Sequence, residues 1–394
     1  MVSQRLSSVT DSVIRDTTAR SIARGAINLG QGLSRTPPPP ALLDALAHRA
    51  AGANQSYGPA RGEPALRREI SRKFLTYNGI EYDPEHEVVV TIGATGAYSA
   101  ALLALLDPGS EVLLIEPFYS YHRDLARAHG LQVATVPLDP FTDRLTEGML
   151  RAAVSRDTRA VVVCTPSNPS GHRLTRAELE AVAAVAEQYD LLILSDEIYE
   201  YIYFDAAPHL SPAALAPEVR ARTVTISGLS KTYGVPGWRL GYAAAPGPLA
   251  AGLGKAADLL TVCAPTPLQE VAVAALRLPS GYYESMRADL RRRKDVVAAA
   301  FTALGLRPNS PVGAYYLLVD CTEMGVATGW DAAEVLLSDY GLATIPGDAF
   351  HDRAPLRPYV RACFGIDDSD VRALTAFAEE VPRSPSYSAS SPSR

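Results

Sequence analysis

A single lysine, Lys231, lies within the stretch ISGLSKTYGVPGWRLGY. Small and hydroxyl residues surround it, among them Ser227 and Ser230, and Arg239 follows eight positions later. A lysine amine can form a Schiff base with an aldehyde, and hydroxyls together with a guanidinium can hold a phosphate dianion. The stretch therefore indicates a site for an aldehyde cofactor that carries a phosphate, although a solvated surface lysine would give the same local pattern.

The bulk composition limits the classes of protein to consider. The chain has 394 residues, of which 47% are hydrophobic and 20% charged, and its formal net charge is −6. This length predicts two or more domains in a globular protein, and the acidic balance argues against nucleic-acid or acidic-membrane partners. The four cysteines are widely spaced in mostly apolar runs, which predicts buried thiols and neither disulfides nor a metal site.

The beginning of the chain, MVSQRLSSVTDSVIRD, lacks the apolar stretch of a signal peptide. No run is long and apolar enough to span a bilayer. We therefore expect a cytoplasmic protein without a membrane partner.

From residue 87 onward, short apolar runs alternate with longer runs of helical periodicity. Continuous apolar character indicates strands buried on both faces, and the alternation predicts an α/β fold with a mostly parallel, seven-stranded sheet between helices. The predicted strands are Glu87–Ile92, Glu111–Glu116, Gln132–Pro137, Ala160–Thr165, Leu191–Asp196, Thr223–Ser227 and Leu240–Ala245. The predicted helices between them are Gly96–Leu106, Tyr121–His129, Glu147–Val154 and Thr175–Tyr189.

A long predicted helix, Gly281–Leu304, leads to a second and smaller α+β unit. Its predicted strands are Ala314–Val319, Leu342–Ile345 and Tyr359–Cys363, and its predicted helices are Asp331–Tyr340 and Ser369–Val381. We expect four segments: an N-terminal arm that contributes to the small domain (1–40), a large cofactor-binding domain (41–285), a small C-terminal domain (286–381) and a disordered Ser/Pro-rich tail (382–394).

Ligands of open parallel sheets bind at the carboxyl ends of the strands, so the residues after each predicted strand are the candidates. Ala94 and Thr95 lie in a small-residue turn that leads into a helix, whose N-terminus favours an anion. Further candidates follow other strands: Tyr119, Asn168, Asp196 and Tyr199. The Asp196 carboxylate can pair with a protonated ring nitrogen, and the Asn168 amide with a phenolic oxygen. Taken singly, each is also explained by packing, a turn or a helix cap.

Together these residues resemble the class I/II aminotransferases, pyridoxal 5'-phosphate (PLP) enzymes of fold type I, in the branch with kynurenine, aromatic and bacterial aspartate aminotransferases. The resemblance covers about 27–366 and rests on SNPSG at 167–171, SDEIY at 195–199, SKTYGVPGWRLGY at 230–242 and VRACFG at 360–365. INLGQG, YGPARGEPALR and IPGDAF support it. It implies a PLP-dependent transferase that moves an amino group between an α-amino acid and a 2-oxo acid through an aldimine on Lys231.

The resemblance also implies roles for individual residues toward PLP. Lys231 carries the cofactor and later moves the Cα proton, and Asp196 pairs with the pyridinium nitrogen. Asn168 and Tyr199 bond to the phenolic oxygen, and Tyr119 stacks on the ring. The phosphate is held by the amides of Ala94 and Thr95, by Ser227 or Ser230, and by Arg239.

For the substrate, the resemblance implies that Arg361 binds the α-carboxylate beside Gly32 and Asn168. Tyr57 is similar to the tyrosine that reaches the phosphate in the neighbouring subunit, so a homodimer is implied. Two departures from the family pattern stand out. Arg35 lies in GLSRT, where G-x-P-D-F is usual, and is a candidate for altering side-chain preference. Gly228 stands where many relatives have serine, which leaves Ser227 or Ser230 for the phosphate.

Two other hypotheses compete with transamination. The same fold and cofactor could direct the Cα carbanion to elimination or replacement, oxidation or cyclisation, because function follows the site and not the fold. A ligand-sensing regulator that borrows the fold would need a DNA-binding unit, for which the acidic balance gives no support.

Overall fold

The computed structural model describes residues 3–7, 9, 11–49 and 52–380. The predicted disordered tail, 382–394, lies outside the described residues. The strands are β1 Ile27–Asn28, β2 Val88–Ile92, β3 Glu111–Ile115, β4 Gln132–Val136, β5 Thr158–Cys164, β6 Leu192–Asp196, β7 Thr223–Gly228, β8 Leu240–Ala244, β9 Arg307–Pro308, β10 Tyr316–Asp320, β11 Leu342–Ala343, β12 Ile345–Pro346 and β13 Tyr359–Cys363.

The α-helices complete the set of regular elements. They are α1 Gln4–Ser7, α2 Val13–Arg24, α3 Pro40–Arg49, α4 Pro64–Lys73, α5 Gly93–Leu105, α6 Ser120–Ala128, α7 Glu147–Ala153, α8 Arg176–Gln188, α9 Pro217–Arg220, α10 Gly247–Thr261, α11 Thr266–Ala275, α12 Ser280–Ala303, α13 Gly329–Tyr340 and α14 Asp368–Glu380. None of these described helices combines the length and the apolar character that crossing a lipid bilayer requires.

A seven-stranded sheet forms the centre of the molecule, in the order β2-β8-β7-β6-β5-β3-β4. All neighbouring strands are parallel except β8, which runs antiparallel to both β2 and β7. Each of the seven strands predicted from the sequence is present, with ends that differ by at most two residues. The predicted α/β architecture is therefore confirmed.

Helices cover both faces of this sheet because alternate strand residues point to opposite sides. Val112 and Leu114 of β3 belong to one apolar cluster with α5 and α10. Leu113, between them, belongs to another cluster, which contains Leu150 of α7 and Val182 of α8. Burial on both faces explains why the strands are continuously apolar in the sequence.

Helix α10 had no counterpart among the predicted elements. Its sequence contains Gly247, Gly252 and Gly254, and glycine disfavours helix by roughly 1 kcal/mol relative to alanine. A Cβ added at Gly252 would lie 3.4 Å from the Cβ of Ala104 in α5, so the two helices approach closely there. Tertiary packing therefore outweighs the local propensity. Helices α2 and α11 were also missing from the prediction.

The second unit is built on a four-stranded antiparallel sheet in the order β12-β13-β10-β9. Helix α12 packs against α14 beside this sheet. The N-terminal strand β1 pairs in parallel with β11, Ile27 opposite Leu342. This pairing supports the proposal that the arm, 1–40, belongs with the small domain, 286–381, while 41–285 form the large domain.

Candidate active site

A cavity of about 470 Å³ lies where the carboxyl ends of the parallel strands face the N-terminal arm and the small unit. The structure brings most of the predicted site residues together in its wall. These are Gly32, Ala94, Thr95, Tyr119, Asn168, Asp196, Tyr199, Ser230, Lys231, Arg239 and Arg361. They come from separate parts of the chain, and the sheet edge unites them, as strand-end positions predict.

Lys231 follows β7 after a short turn and is partly buried. Its Nζ donates a hydrogen bond of 3.0 Å to the carbonyl oxygen of Gly32. Burial lowers the pKa of Lys231 to about 8; the charges of Arg361 and Arg239 lower it further, while Cys363 and Asp196 oppose them. A lysine with this pKa is largely neutral in mildly alkaline solution, as a nucleophile or base must be.

Asp196 ends β6 and is buried. Its Oδ2 lies 3.0 Å from Nε2 of His122, and its Oδ1 accepts a hydrogen bond of 3.2 Å from the backbone N–H of Ile198. The residues that follow form turns and no helix, so Asp196 is not a helix cap. The carboxylate is held at the cavity wall, where it can accept from a protonated ring nitrogen. His122 escaped the sequence analysis because 74 positions separate it from its partner.

Two tyrosine hydroxyls meet in the wall of the cavity. The hydroxyls of Tyr199 and Tyr316 lie 2.8 Å apart. Burial raises the pKa of Tyr199 well above its ordinary value, with further contributions from Tyr316 and Tyr315, so its hydroxyl keeps its proton. Tyr316 was not among the predicted residues. Tyr119 is partly buried, and its ring packs edge to face against the His122 ring, with 5.3 Å between the ring centroids.

An anion cradle lies at the N-terminus of α5. This helix begins at Gly93, three residues earlier than predicted, with neither a side-chain cap nor an acidic residue in its first turn. The backbone N–H groups of Ala94 and Thr95 therefore lie in that turn, and the guanidinium of Arg239 approaches so closely that a Cβ at Gly93 would be 2.5 Å from its Nη2. Free N–H groups and a guanidinium together favour a phosphate dianion.

Close backbone approach at this cradle explains the glycine pair Gly228 and Gly241. A Cβ at Gly241 would lie 2.3 Å from the nitrogen of Ala94, and one at Gly228 would lie 2.9 Å from the Cα of Gly241. No side chain fits at either position. A serine at Gly228 would therefore have no room in this chain.

Arg361 on β13 is fully buried. Its Nη1 donates a hydrogen bond of 2.8 Å to Oδ1 of Asn168, and its Nη2 donates one to the carbonyl oxygen of Gly30. Its guanidinium carbon lies 4.5 Å from the centre of the Tyr316 ring. Its Nε–H has no acceptor, and no described carboxylate forms an ion pair with it. A buried cation without a counter-ion is costly, so this site is built to receive an anion.

Two residues that the sequence singled out have partners outside the cavity. The hydroxyl of Ser227 donates 2.8 Å to Oε1 of Glu200 and does not line the cavity, so among the two candidate serines only Ser230 can reach a phosphate there. Arg35 pairs with Asp370 at 2.6 Å and Asp367 at 3.3 Å and does not line the cavity, so its suggested effect on side-chain preference stays a prediction. Tyr57 is 80% exposed and lies outside the cavity of its own chain.

The family model for class I and II aminotransferases matches residues 24–377. A probable N-succinyldiaminopimelate aminotransferase from Mycobacterium tuberculosis is 37% identical over 356 residues, which are 90% of this chain and 89% of that one. A methionine aminotransferase from Escherichia coli K12 is 34% identical over 358 residues, 90% of this chain and 91% of its own.

Solved structures agree with this assignment. The structure of the N-succinyldiaminopimelate aminotransferase from M. tuberculosis superimposes with a TM-score of 0.90 at 35% identity, covering 96% of this chain and 99% of that one. The structure of the E. coli methionine aminotransferase superimposes with a TM-score of 0.91 at 30% identity, covering 96% of this chain and 99% of that one. The chain belongs to the class I and II aminotransferases, whose members use PLP. It is a transferase that moves amino groups, as the resemblance implied, and the relatives named here give no support to elimination, oxidation or cyclisation.

Proposed function

We propose that this chain binds PLP in the cavity described above and transfers an amino group between an α-amino acid and a 2-oxo acid. The residues fit the cofactor. The uncapped start of α5 with Arg239 and Ser230 suits the phosphate, and Asp196 suits the ring nitrogen. Lys231 lines the same cavity with its pKa lowered to about 8 by burial, which suits an amine that must attack an aldehyde.

The observation that carries the proposal is the unpaired positive charge of Arg361. Neutral oxygens of Asn168 and Gly30 hold its guanidinium in place without neutralising it, and its Nε–H remains without an acceptor. A substrate α-carboxylate would satisfy both needs, because a planar guanidinium binds a carboxylate through two parallel hydrogen bonds. The contact fixes the α-carboxylate and so orients the Cα–H bond.

When bound, PLP supplies an electron-withdrawing ring that acidifies the Cα–H of an attached amino acid. The chain's part is to hold and move protons. Asp196 favours the protonated ring nitrogen, since a nearby opposite charge stabilises the charged form. The Tyr199 hydroxyl and the Asn168 amide would bond to the phenolic oxygen. Lys231 Nζ would take up and return the Cα proton as a general base.

We also propose a cytoplasmic homodimer. Tyr57 is a large aromatic that is 80% exposed and cannot serve its own site, which supports a role at the site of a second copy. Light scattering should give about twice the chain mass of 42.0 kDa. Tyr57→Phe should weaken PLP retention about tenfold, the effect of one lost hydrogen bond to a charged group, with the dimer intact. A monomer that retains PLP would refute this part.

The printed substrates of the relatives differ, since N-succinyldiaminopimelate, aspartate and methionine all occur among them. The reaction is best tested by a panel of amino donors mixed singly with the yellow, PLP-loaded protein. Transamination predicts loss of the yellow absorbance, one 2-oxo acid per site, and recovery of the colour when a 2-oxo acid is added. Ammonia, peroxide or a released side-chain fragment would contradict it.

A further inference from the structure

The charges in the cavity wall are unequal. Four basic side chains line it: Arg15, Lys231, Arg239 and Arg361. One carboxylate, Asp196, lines it within the described part of the chain. Such a wall attracts anionic ligands, and it holds more positive charge than one carboxylate can balance.

Three of the four cations have a use in the proposed function, on which this inference rests. Lys231 joins the cofactor, Arg239 faces its phosphate and Arg361 faces the substrate α-carboxylate. These uses leave Arg15 without an anion. A substrate with a single carboxylate would not supply one.

Arg15 lies in the first turn of α2, beside Ser12 and Ile14, which also line the cavity. The two arginines farther along the same helix, Arg20 and Arg24, both pair with Glu334. Arg15 is an exposed residue, and over the described residues its guanidinium takes part in no ion pair or side-chain hydrogen bond. It is therefore available to a ligand.

The acidic residues around Arg15 do not neutralise it. Asp11 and Asp16 flank it in sequence and form no ion pair with it, and Asp124 of α6, on the groove that Arg15 also lines, pairs with Arg123 at 3.0 Å. The cavity wall near the arm also carries apolar side chains, Ile14, Leu33 and Leu125. Methylene groups of a substrate can pack against them while a charged end remains at the rim.

We propose that Arg15 binds the distal carboxylate of the substrate, so that the enzyme takes dicarboxylic amino donors and 2-oxo acids in preference to neutral ones. Arg361 then binds one end of the substrate and Arg15 the other. The phosphate is not the anion in question, because the α5 cradle with Arg239 already receives it.

The test compares matched donors that differ only in charge, glutamate with glutamine and aspartate with asparagine, in the half-reaction of the PLP-loaded protein. The native chain should favour the dicarboxylate of at least one pair. Arg15→Gln should lower the kcat/KM for that dicarboxylate by about ten- to a hundredfold, the range for a lost charged hydrogen bond. The kcat/KM for the matching amide should change by less than about twofold. Arg20→Gln on the same helix is the control and should alter neither.

Binding of unreactive acids gives a second readout that does not depend on turnover. Glutarate and pentanoate can be titrated against the cofactor absorbance of the loaded protein. Arg15→Gln should weaken glutarate about tenfold or more and leave pentanoate unchanged. Equal losses for both acids, or no loss for either, would overturn the role of Arg15. Conversion of neutral donors alone would overturn this inference and leave the proposed function standing, whereas failure with every amino acid would overturn both.

Discussion

Nη1 of Arg361 donates a hydrogen bond of 2.8 Å to Oδ1 of Asn168, across the boundary between the small sheet and the loop after β5. Because a guanidinium has only donors, this contact assigns the oxygen of the Asn168 side chain. Its Nδ2 is then the group left for the phenolic oxygen of the cofactor. In the proposed function, one asparagine would therefore connect the substrate carboxylate site to the cofactor ring.

Asn168→Asp should place a carboxylate against Arg361 and compete with the substrate. We expect the KM for amino donors to rise at least tenfold, the effect of a competing charged hydrogen bond. Asn168→Ala removes the contact without adding charge and should raise the KM less. Equal increases for the two variants, measured by steady-state kinetics, would show that charge competition does not act here.

Arg361→Ala should raise the KM for amino donors by about a hundredfold while the yellow cofactor absorbance stays, because the variant loses a two-pronged carboxylate contact. Arg361→Lys keeps the charge but not the planar geometry, so an intermediate KM is expected. An unaffected KM in the alanine variant would mean that the α-carboxylate binds elsewhere.

Lys231 should lose its proton at an unusually low pH in the cofactor-free protein. Burial lowers its pKa from 10.5 to about 8. Competitive acetylation from about pH 6 to about pH 11, read by peptide mass, should give half-maximal reactivity of Lys231 near pH 8, whereas a free lysine peptide reaches it near about 10.4. A Lys231 curve that follows the free peptide would contradict the burial argument.

Glu178 should stabilise the fold at neutral pH through the N-terminus of α8. Burial alone raises the pKa of Glu178, but hydrogen bonds from His172 and Thr175 and the charge of His172 outweigh it and lower the value to about 2. This stabilisation is present above the ordinary value of 4.5 and is lost as the pH falls through about 2. Glu178→Gln should cost roughly 2 kcal/mol at neutral pH, seen as a thermal midpoint lower by a few degrees.

The same helix offers a matched control for Glu178. Glu180 forms an exposed ion pair with Arg176 at 3.6 Å, and exposed pairs contribute little. Glu180→Gln should therefore leave the midpoint nearly unchanged. A difference between Glu178→Gln and the native chain that persists undiminished at about pH 2 would contradict the assigned origin of the effect.

The large sheet could be predicted from the sequence because strands buried on both faces are continuously apolar. The motifs after the strands also predicted that Asp196, Asn168 and Lys231 lie close together. A parallel sheet brings the carboxyl ends of its strands to one edge, where these residues follow. Helix α10 could not be predicted, because its three glycines disfavour a helix locally and its packing against α5 is not visible in the sequence.

The residues that contact the predicted site residues from behind could not be predicted from the sequence either. Tyr316 meets Tyr199 across 117 positions, and His122 meets Asp196 across 74, with no local pattern to connect them. Ser227 illustrates a different limit. Successive residues of a strand point to opposite faces of the sheet, and the sequence around Ser227 does not show which face borders the cavity. The structure turns its hydroxyl toward Glu200.

Lys231 is the residue proposed to join PLP, and the composition of the chain allows a direct test of this role. Its sequence contains only four lysines, Lys73, Lys231, Lys255 and Lys294. Of these, Lys231 alone lines the cavity. Borohydride reduction of the PLP-loaded protein, followed by peptide mass mapping, should find the cofactor on Lys231, and Lys231→Ala should lose both the adduct and the yellow absorbance. A cofactor found on another lysine, or an unchanged spectrum in Lys231→Ala, would contradict the role assigned to Lys231.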